Sequence, residues 1–285
     1  MATKILSYIM DHLFFIGIPY SLYQRIRITM VYYKMFIKNL FFGNIIKSDS
    51  FLGYKVFSTN YKFIYSIFKI TFFKGQYYFN AFKKDKLLIL DCGANIGVSS
   101  LFFNYIYPNS EIHTFEPNIQ VYDYLLKNTK LQKNIFNHKY ALSEKSGKLK
   151  FYINNDDVGD TTASLNLKSN ANLNTHYQVD AIKLSDFIKN NLGGRNIDFI
   201  KFNIEGAEEG VIKELYENNY LCKIDRIIFE YHHHIDLDTT SHLSEMLSYL
   251  EKSGMNYTFS VTNFRLYKEN IVQNLFIYAY KKDLK

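Results

Sequence analysis

The stretch Lys86-Leu-Leu-Ile-Leu-Asp-Cys-Gly-Ala-Asn-Ile-Gly-Val-Ser-Ser100 decides how the whole chain is read. Leu87 to Leu90 form an unbroken apolar run, which suits a strand buried on both faces of a parallel sheet. Asp91 ends that run, and Gly93 and Gly97 bracket a tight turn. Past them Val98, Leu101, Phe102 and Tyr105 recur at helical spacing. Strand, glycine turn and helix make the first unit of a nucleotide-binding α/β fold. Glycine suits such a turn because a Cβ would hold a ligand off the backbone, while the helix N-terminus offers free N–H groups.

Working outward, Glu111 to Phe115 reads as a second short strand with Glu116-Pro117 at its end. An acidic residue roughly 20 positions past the glycines is where such folds hold a ribose hydroxyl pair. The dinucleotide fingerprint would need glycine at Asn95 and at Val98, so an NAD-dependent enzyme is disfavoured. The alternation continues: helix 97–106, helix 118–130 and a third strand over 136–142. It then breaks at two extra strands, 147–153 and 177–184, separated by a polar insertion containing Asp160-Thr-Thr-Ala-Ser164 that reads as an active-site flap. Helix 185–191, a strand over 197–203, a helix to about Tyr216, a strand over 226–231, a helix over 240–253 and two last strands, 256–261 and 275–280, complete an α/β domain over residues 49–285.

Hydrophobic residues make up 47% of the 285 and charged residues 21%, enough for a substantial core. The formal net charge is +7. The lysines are dispersed with no long basic run, which points to a solvated basic surface and away from nucleic acid. Cys92 and Cys222 have neither metal nor redox spacing, so the chain fits a reduced, cytoplasmic compartment, and no metal is expected. Three consecutive histidines, 232–234, do not converge on one ion. Residues 1–48 read as an appended aromatic and helical extension. Its longest uncharged run, Leu13 to Gln24, is too short to span a bilayer and contains Gly17 and Pro19. Two roles stay open for it: packing on the domain or on a second copy, which is favoured, or lying on an anionic membrane surface.

In the fourth core strand, period-two alternation puts Lys201, Asn203 and Glu205 on one face. A lysine inside a buried strand is costly unless paired. Glu205 and Glu230 fall at the ends of neighbouring strands, where open α/β sheets place their ligands. Glu205 is therefore the first candidate for a general base, His232 the second, and Lys201 the residue that orients the carboxylate.

Asp91-Cys-Gly-Ala-Asn-Ile-Gly97, Phe115-Glu-Pro-Asn118, Ala141-Leu-Ser143, Leu184-Ser-Asp186 and Asp198-Phe-Ile-Lys-Phe-Asn-Ile-Glu-Gly-Ala-Glu208 occur in that order. Together they resemble the FkbM family of methyltransferases over roughly residues 75 to 280, and Lys-x-x-x-Glu-Gly-Ala-Glu is the most distinctive part. The resemblance implies a class I methyltransferase fold: a Rossmann-like, seven-stranded, mostly parallel sheet with helices on both faces. It implies S-adenosylmethionine as cofactor and transfer to a hydroxyl of a sugar, glycan or small-molecule acceptor. By motif position, Asp91, Gly93, Ala94, Asn95 and Gly97 would line the methionine end, Glu116 and Pro117 the ribose, and Ala141 and Leu142 the adenine, with Asn203 also at the cofactor. The family generally carries aspartate where this chain has Asn203. That departure leaves a second reading open, a catalytically degenerate binding protein docked to a membrane or glycan-assembly complex.

Overall fold

Strands that are apolar on both faces must be covered on both, and this chain supplies the two covers from different stretches of sequence. The computed structural model describes residues 15, 17–81, 86–153, 175–233, 242–261 and 273–282. Ahead of the sheet, Ser21 and Gln24 form a capping box that opens α1 (Leu22–Phe42). A hairpin follows, β1 (Ser48–Phe51) and β2 (Tyr54–Phe57). Its loop residues Leu52 and Gly53 have φ of 51° and 93°, the left-handed values that two-residue hairpin loops favour. Asn60 caps α2 (Tyr61–Phe68), which runs on into one π-helical turn at Lys69–Phe73.

The main sheet begins with β3 (Leu88–Cys92), α3 (Val98–Ile106), β4 (Glu111–Phe115), α4 (Ile119–Thr129) and β5 (Ile135–His138). The chain then leaves it for a small three-stranded sheet made by β6 (Ala141–Leu142), β7 (Gly147–Ile153) and β8 (Thr175–Ile182). It returns through α5 (Leu184–Asn191), β9 (Phe199–Phe202), α6 (Glu208–Glu217), β10 (Arg226–His233), α7 (Leu243–Lys252), β11 (Met255–Val261) and β12 (Gln273–Lys281). The strand order is β11-β12-β10-β9-β3-β4-β5. The run from β10 to β5 is parallel, and β12 is antiparallel to both of its neighbours. This is the expected seven-stranded, mostly parallel sheet. From β3 the chain moves to one side through β4 and β5, then comes back to β9 on the other. The gap beyond the ends of β3 and β9 is thus a topological switch point, where such sheets open a crevice.

The two faces of the sheet carry separate cores. Ile89, Phe199 and Ile228 face α1–α3, where Phe68 stacks on Phe72 (5.1 Å between centroids) and Phe72 meets Phe102 edge-on at 5.2 Å. Much of the chain's aromatic content is spent in this first core. Leu90, Ile200, Phe202 and Phe229 face α5–α7 and pack on Ile188, Val211, Leu215 and Leu250. α1 joins the first core through Ile28, Tyr32 and Met35, and Tyr32 stacks on Phe73 at 3.9 Å. Among the described residues no helix is long and apolar enough to cross a membrane.

Two expectations need correction. The single strand expected over 136–142 is two strands in different sheets: β5 pairs with β4, whereas Ala141 and Leu142 pair with Ala181 and Ile182 of β8. Period and apolarity identify a strand but not the sheet it joins. The fourth core strand ends at Phe202, so its alternation does not reach Asn203 and Glu205. The insertion with Asp160–Ser164 lies outside the described residues.

Gly93 shows how closely the switch point is packed. Its φ is 79°, and a Cβ there would sit 1.8 Å from the Asn203 carbonyl oxygen. Gly93→Ala should therefore cost more than the ~1–3 kcal/mol of left-handed strain alone. Chemical denaturation should show a lowered midpoint, and an unchanged one would contradict this packing.

Candidate functional site

The site is built on a buried charge pair. Asp91 and Lys201 are register partners on β3 and β9, and both are buried. Lys201 Nζ lies 2.9 Å from Asp91 Oδ1 and donates to the Gly93 carbonyl at 2.6 Å. The second carboxylate oxygen accepts from Ser99 Oγ and Ser100 Oγ, each at 2.6 Å, in the first turn of α3. Two charges taken out of water stay there only if their remaining valences are filled, and here both carboxylate oxygens and two ammonium donors are engaged. One pair thereby joins two strands, the glycine turn and a helix. The Tyr77 ring lies 5.4 Å from the ammonium on the same side of the sheet.

This geometry revises several expected roles. The partner of Lys201 is Asp91, not Glu205. Asp91 points beneath the turn toward α3, away from the crevice. Ala94 is buried too, with its N–H on the Phe115 carbonyl at 3.0 Å. Gly97 opens α3 at φ 89°, and a Cβ there would meet Leu125 at 2.8 Å and Thr129 at 3.1 Å. Both glycines are thus required by packing of the chain on itself rather than by clearance for a ligand.

Other expected residues converge. A cleft of about 670 Å³, open solvent included, is lined by Gly93, Asn95, Glu116, Pro117, Ala141, Leu142, Asn203 and Glu205. Asn118, Tyr140 and Phe151 also stand on its walls. Tyr140 was not among the expected residues, although its place directly before Ala141-Leu142 was a usable signal. Phe151 had no signal, because it arrives from the small sheet. Asn95 takes φ 51°, which turns its backbone N–H onto Glu116 Oε2 at 2.9 Å, while Asn118 N–H reaches Oε1 at 2.8 Å. Burial pushes the Glu116 carboxyl up to about 7, against the pull of those two N–H groups.

The opposite wall is the turn after β9. Glu208 is buried at the start of α6 and accepts from the backbone N–H groups of Ile204 and Gly206, both at 2.9 Å. Its carboxyl is likewise raised by burial to about 7. The turn it holds puts Glu205 at φ 54° and Gly206 at φ 97°, so Glu205 reaches the cleft from a strained turn and not from strand alternation. The carboxylate of Glu208, the last residue of the Glu-Gly-Ala-Glu run and without an expected role, is what shapes it. Asn203 Oδ1 is buried without a hydrogen-bond partner among the described residues. Burial, with Glu230 and Asp91 nearby, pushes the Tyr77 phenol well up, and the Asn203 side chain acts the other way. Glu230 lies within β10 opposite Phe276, close to Tyr77 and Tyr278, and does not line the cleft with Glu205. β10 carries the backbone of His232 and His233, but their side chains, and all of His234, lie outside the described residues. The described residues contain no group able to hold a metal ion.

Lys201→Met strands the Asp91 carboxylate in the core and should cost about 3–5 kcal/mol of folding stability. Combining it with Asp91→Asn should recover part of that loss in urea denaturation. Additive losses would contradict the pairing.

The profile of the Methyltransferase FkbM domain matches residues 91–259. Methyltransferase 1 of Beauveria bassiana (strain ARSEF 2860) is 28% identical over 162 residues, covering 51% of this chain. The match takes in 65% of that relative, so the chain spans a little under two thirds of its length. Similar solved structures include the precorrin-6y C5,15-methyltransferase of Geobacter metallireducens GS-15, with TM-score 0.39, 15% identity, and coverage of 70% of this chain and 82% of that one. M. jannaschii TYW2 in complex with AdoMet gives TM-score 0.36 and 16% identity, covering 70% of this chain and 72% of that one. Matched over more than half of its length, the chain belongs to the FkbM family of S-adenosylmethionine-dependent methyltransferases.

Proposed function

We propose that this chain methylates a hydroxyl oxygen on a sugar, glycan or glycolipid precursor, using the cleft at the ends of β3, β4 and β9. The observation that carries this reading is the pair of carboxylates on opposite walls, Glu116 tied to two backbone N–H groups and Glu205 presented by the turn after β9.

The residues fit the cofactor. Each Glu116 oxygen accepts one N–H and keeps a lone pair, which suits a vicinal diol such as the ribose hydroxyls. Asn203 Oδ1 is a buried acceptor lacking a donor among the described residues, which suits the amino group of a methionine moiety. Ala141, Leu142 and Phe151 offer an apolar wall to the adenine. When bound, S-adenosylmethionine supplies an already activated methyl on a sulfonium, so the protein is left with alignment and one proton. A hydroxyl is a poor nucleophile, and a base at its oxygen contributes about 10²–10⁴ in rate. Glu205 is the base in this reading and accepts the hydroxyl proton on its carboxylate, with His232 next in line. Lys201 acts at a distance, by fixing the Gly93 carbonyl and hence the floor of the cleft. The acceptor class rests on the family resemblance and on the presence of a carboxylate where an oxygen nucleophile must lose its proton.

Three outcomes are expected. Since the buried Glu116 carboxyl is held up to about 7, diol binding below that pH first requires loss of a proton. Affinity for S-adenosylhomocysteine should therefore rise with pH by up to about tenfold per unit and level off above neutrality, with Glu116→Gln flattening the profile. A flat wild-type profile would remove Glu116 from the site. Glu205→Gln should keep that affinity while turnover falls by about 10²–10⁴. Turnover is read by mass spectrometry as glycans one methylene heavier in cells carrying the gene. Near wild-type turnover in Glu205→Gln, with loss in His232→Ala, would move the base to β10. Asn203→Asp restores the family's carboxylate, and a large gain in turnover would mark this chain as a weakened enzyme.

A further inference from the structure

We propose that the outward face of α1 docks in the plane of an anionic lipid surface. The inference concerns where the protein sits and stands whether or not the methyl acceptor has been read correctly.

Leu22, Ile26, Met30, Tyr33, Ile37 and Leu40 recur at three- and four-residue steps and so share one stripe of the helix. All six are exposed, Met30 to 68% and Leu40 to 62%. On 100° spacing this stripe lies opposite the face formed by Ile28, Tyr32 and Met35, which is buried in the first core. α1 is therefore apolar on two opposed faces, and the described protein covers one of them. Single exposed apolar residues are ordinary, whereas a continuous row along a helix about 31 Å long marks an interaction surface.

Charge selects the occupant. α1 contains Arg25, Arg27, Lys34 and Lys38 and no acidic residue. Across residues 1–48, Lys4 and Lys47 join these four against the single acid Asp11, so most of the net charge of +7 belongs to this extension. Arg27, Lys34 and Lys38 border the stripe along one side. Lys34 and Lys38 share one carboxylate, Asp49, at 3.1 and 2.9 Å, which leaves an excess positive charge at that border. Arg25, beyond the other border, is tied to main-chain carbonyls of Phe15 and Tyr20. Two copies meeting antiparallel through this stripe would bring their basic borders together, and a parallel pair would leave both borders facing solvent. An anionic bilayer instead offers headgroups to the border and hydrocarbon to the stripe, the arrangement of an amphipathic helix lying in the interface. A helix this basic, on a protein whose described helices cannot cross a membrane, lies on the surface without spanning it.

The test uses the full chain and co-sedimentation with phosphatidylcholine vesicles, with and without phosphatidylserine, at low and high salt. Binding should require phosphatidylserine and weaken with salt. The triple variant Ile26→Glu, Met30→Glu, Ile37→Glu should lose on the order of tenfold or more in vesicle affinity. It should keep the melting temperature and S-adenosylhomocysteine affinity of the wild type, because none of the three substituted positions belongs to the buried core or lines the cleft. Arg27→Gln, which leaves the stripe intact, should weaken binding by a smaller factor. Several results would overturn the proposal: no binding to either vesicle, equal binding to both, or undiminished binding by the triple variant. A wild-type dimer that the triple variant converts to monomer would assign the face to a second copy. A melting temperature lowered by the triple variant without lipid would assign it to packing within the chain.

Discussion

Everything about this site depends on keeping Lys201 charged in the middle of a sheet. A lysine there is tolerable only because Asp91 stands opposite it on the neighbouring strand, the Gly93 carbonyl accepts a second hydrogen bond from the ammonium, and two serine hydroxyls donate to the far carboxylate oxygen. The arrangement contributes little as attraction alone, since desolvation offsets most of it. Its value is geometric: β3, β9, the glycine turn and the start of α3 have one way of satisfying the pair. The cleft is the space that this arrangement leaves open at the switch point.

From that anchor the walls follow by the same logic on a smaller scale. Two buried glutamates, Glu116 and Glu208, each accept two backbone N–H groups and so set the loops on either side of the cleft. Both carboxyls are raised to about 7 by burial, so both loops are bound by groups that titrate near neutrality. Glu116 has lone pairs left for a ligand. Glu208 is turned into the protein and acts through the turn that carries Glu205. The division separates a residue that would touch the cofactor from one that positions Glu205, the residue proposed to meet the acceptor.

The sheet was legible because its strands are short apolar runs between glycine, proline and polar turns, with helical periods between them. The glycine turn and Glu116 were legible because spacing along one βαβ unit is a local property. Legibility stopped where contacts are distant in sequence. Asp91 and Lys201 are 110 residues apart, and no period or motif pairs them. Alternation placed Glu205 on the face of Lys201, but the strand ended first and a left-handed turn took over. Phe151 joined the cleft from a separate sheet, and Tyr77 reached Lys201 from the stretch between α2 and β3. The amphipathic signal of α1 was blurred for a related reason, since apolar residues on both faces cancel in any one-sided pattern.

The most direct test of this account is a crystal structure of the protein with S-adenosylhomocysteine. The account predicts the ribose hydroxyls on the Glu116 carboxylate, the amino group against Asn203 Oδ1, and Lys201 still paired with Asp91 beneath the turn. A product bound away from Glu116, or a Lys201 ammonium swung from Asp91 to Glu205, would contradict it.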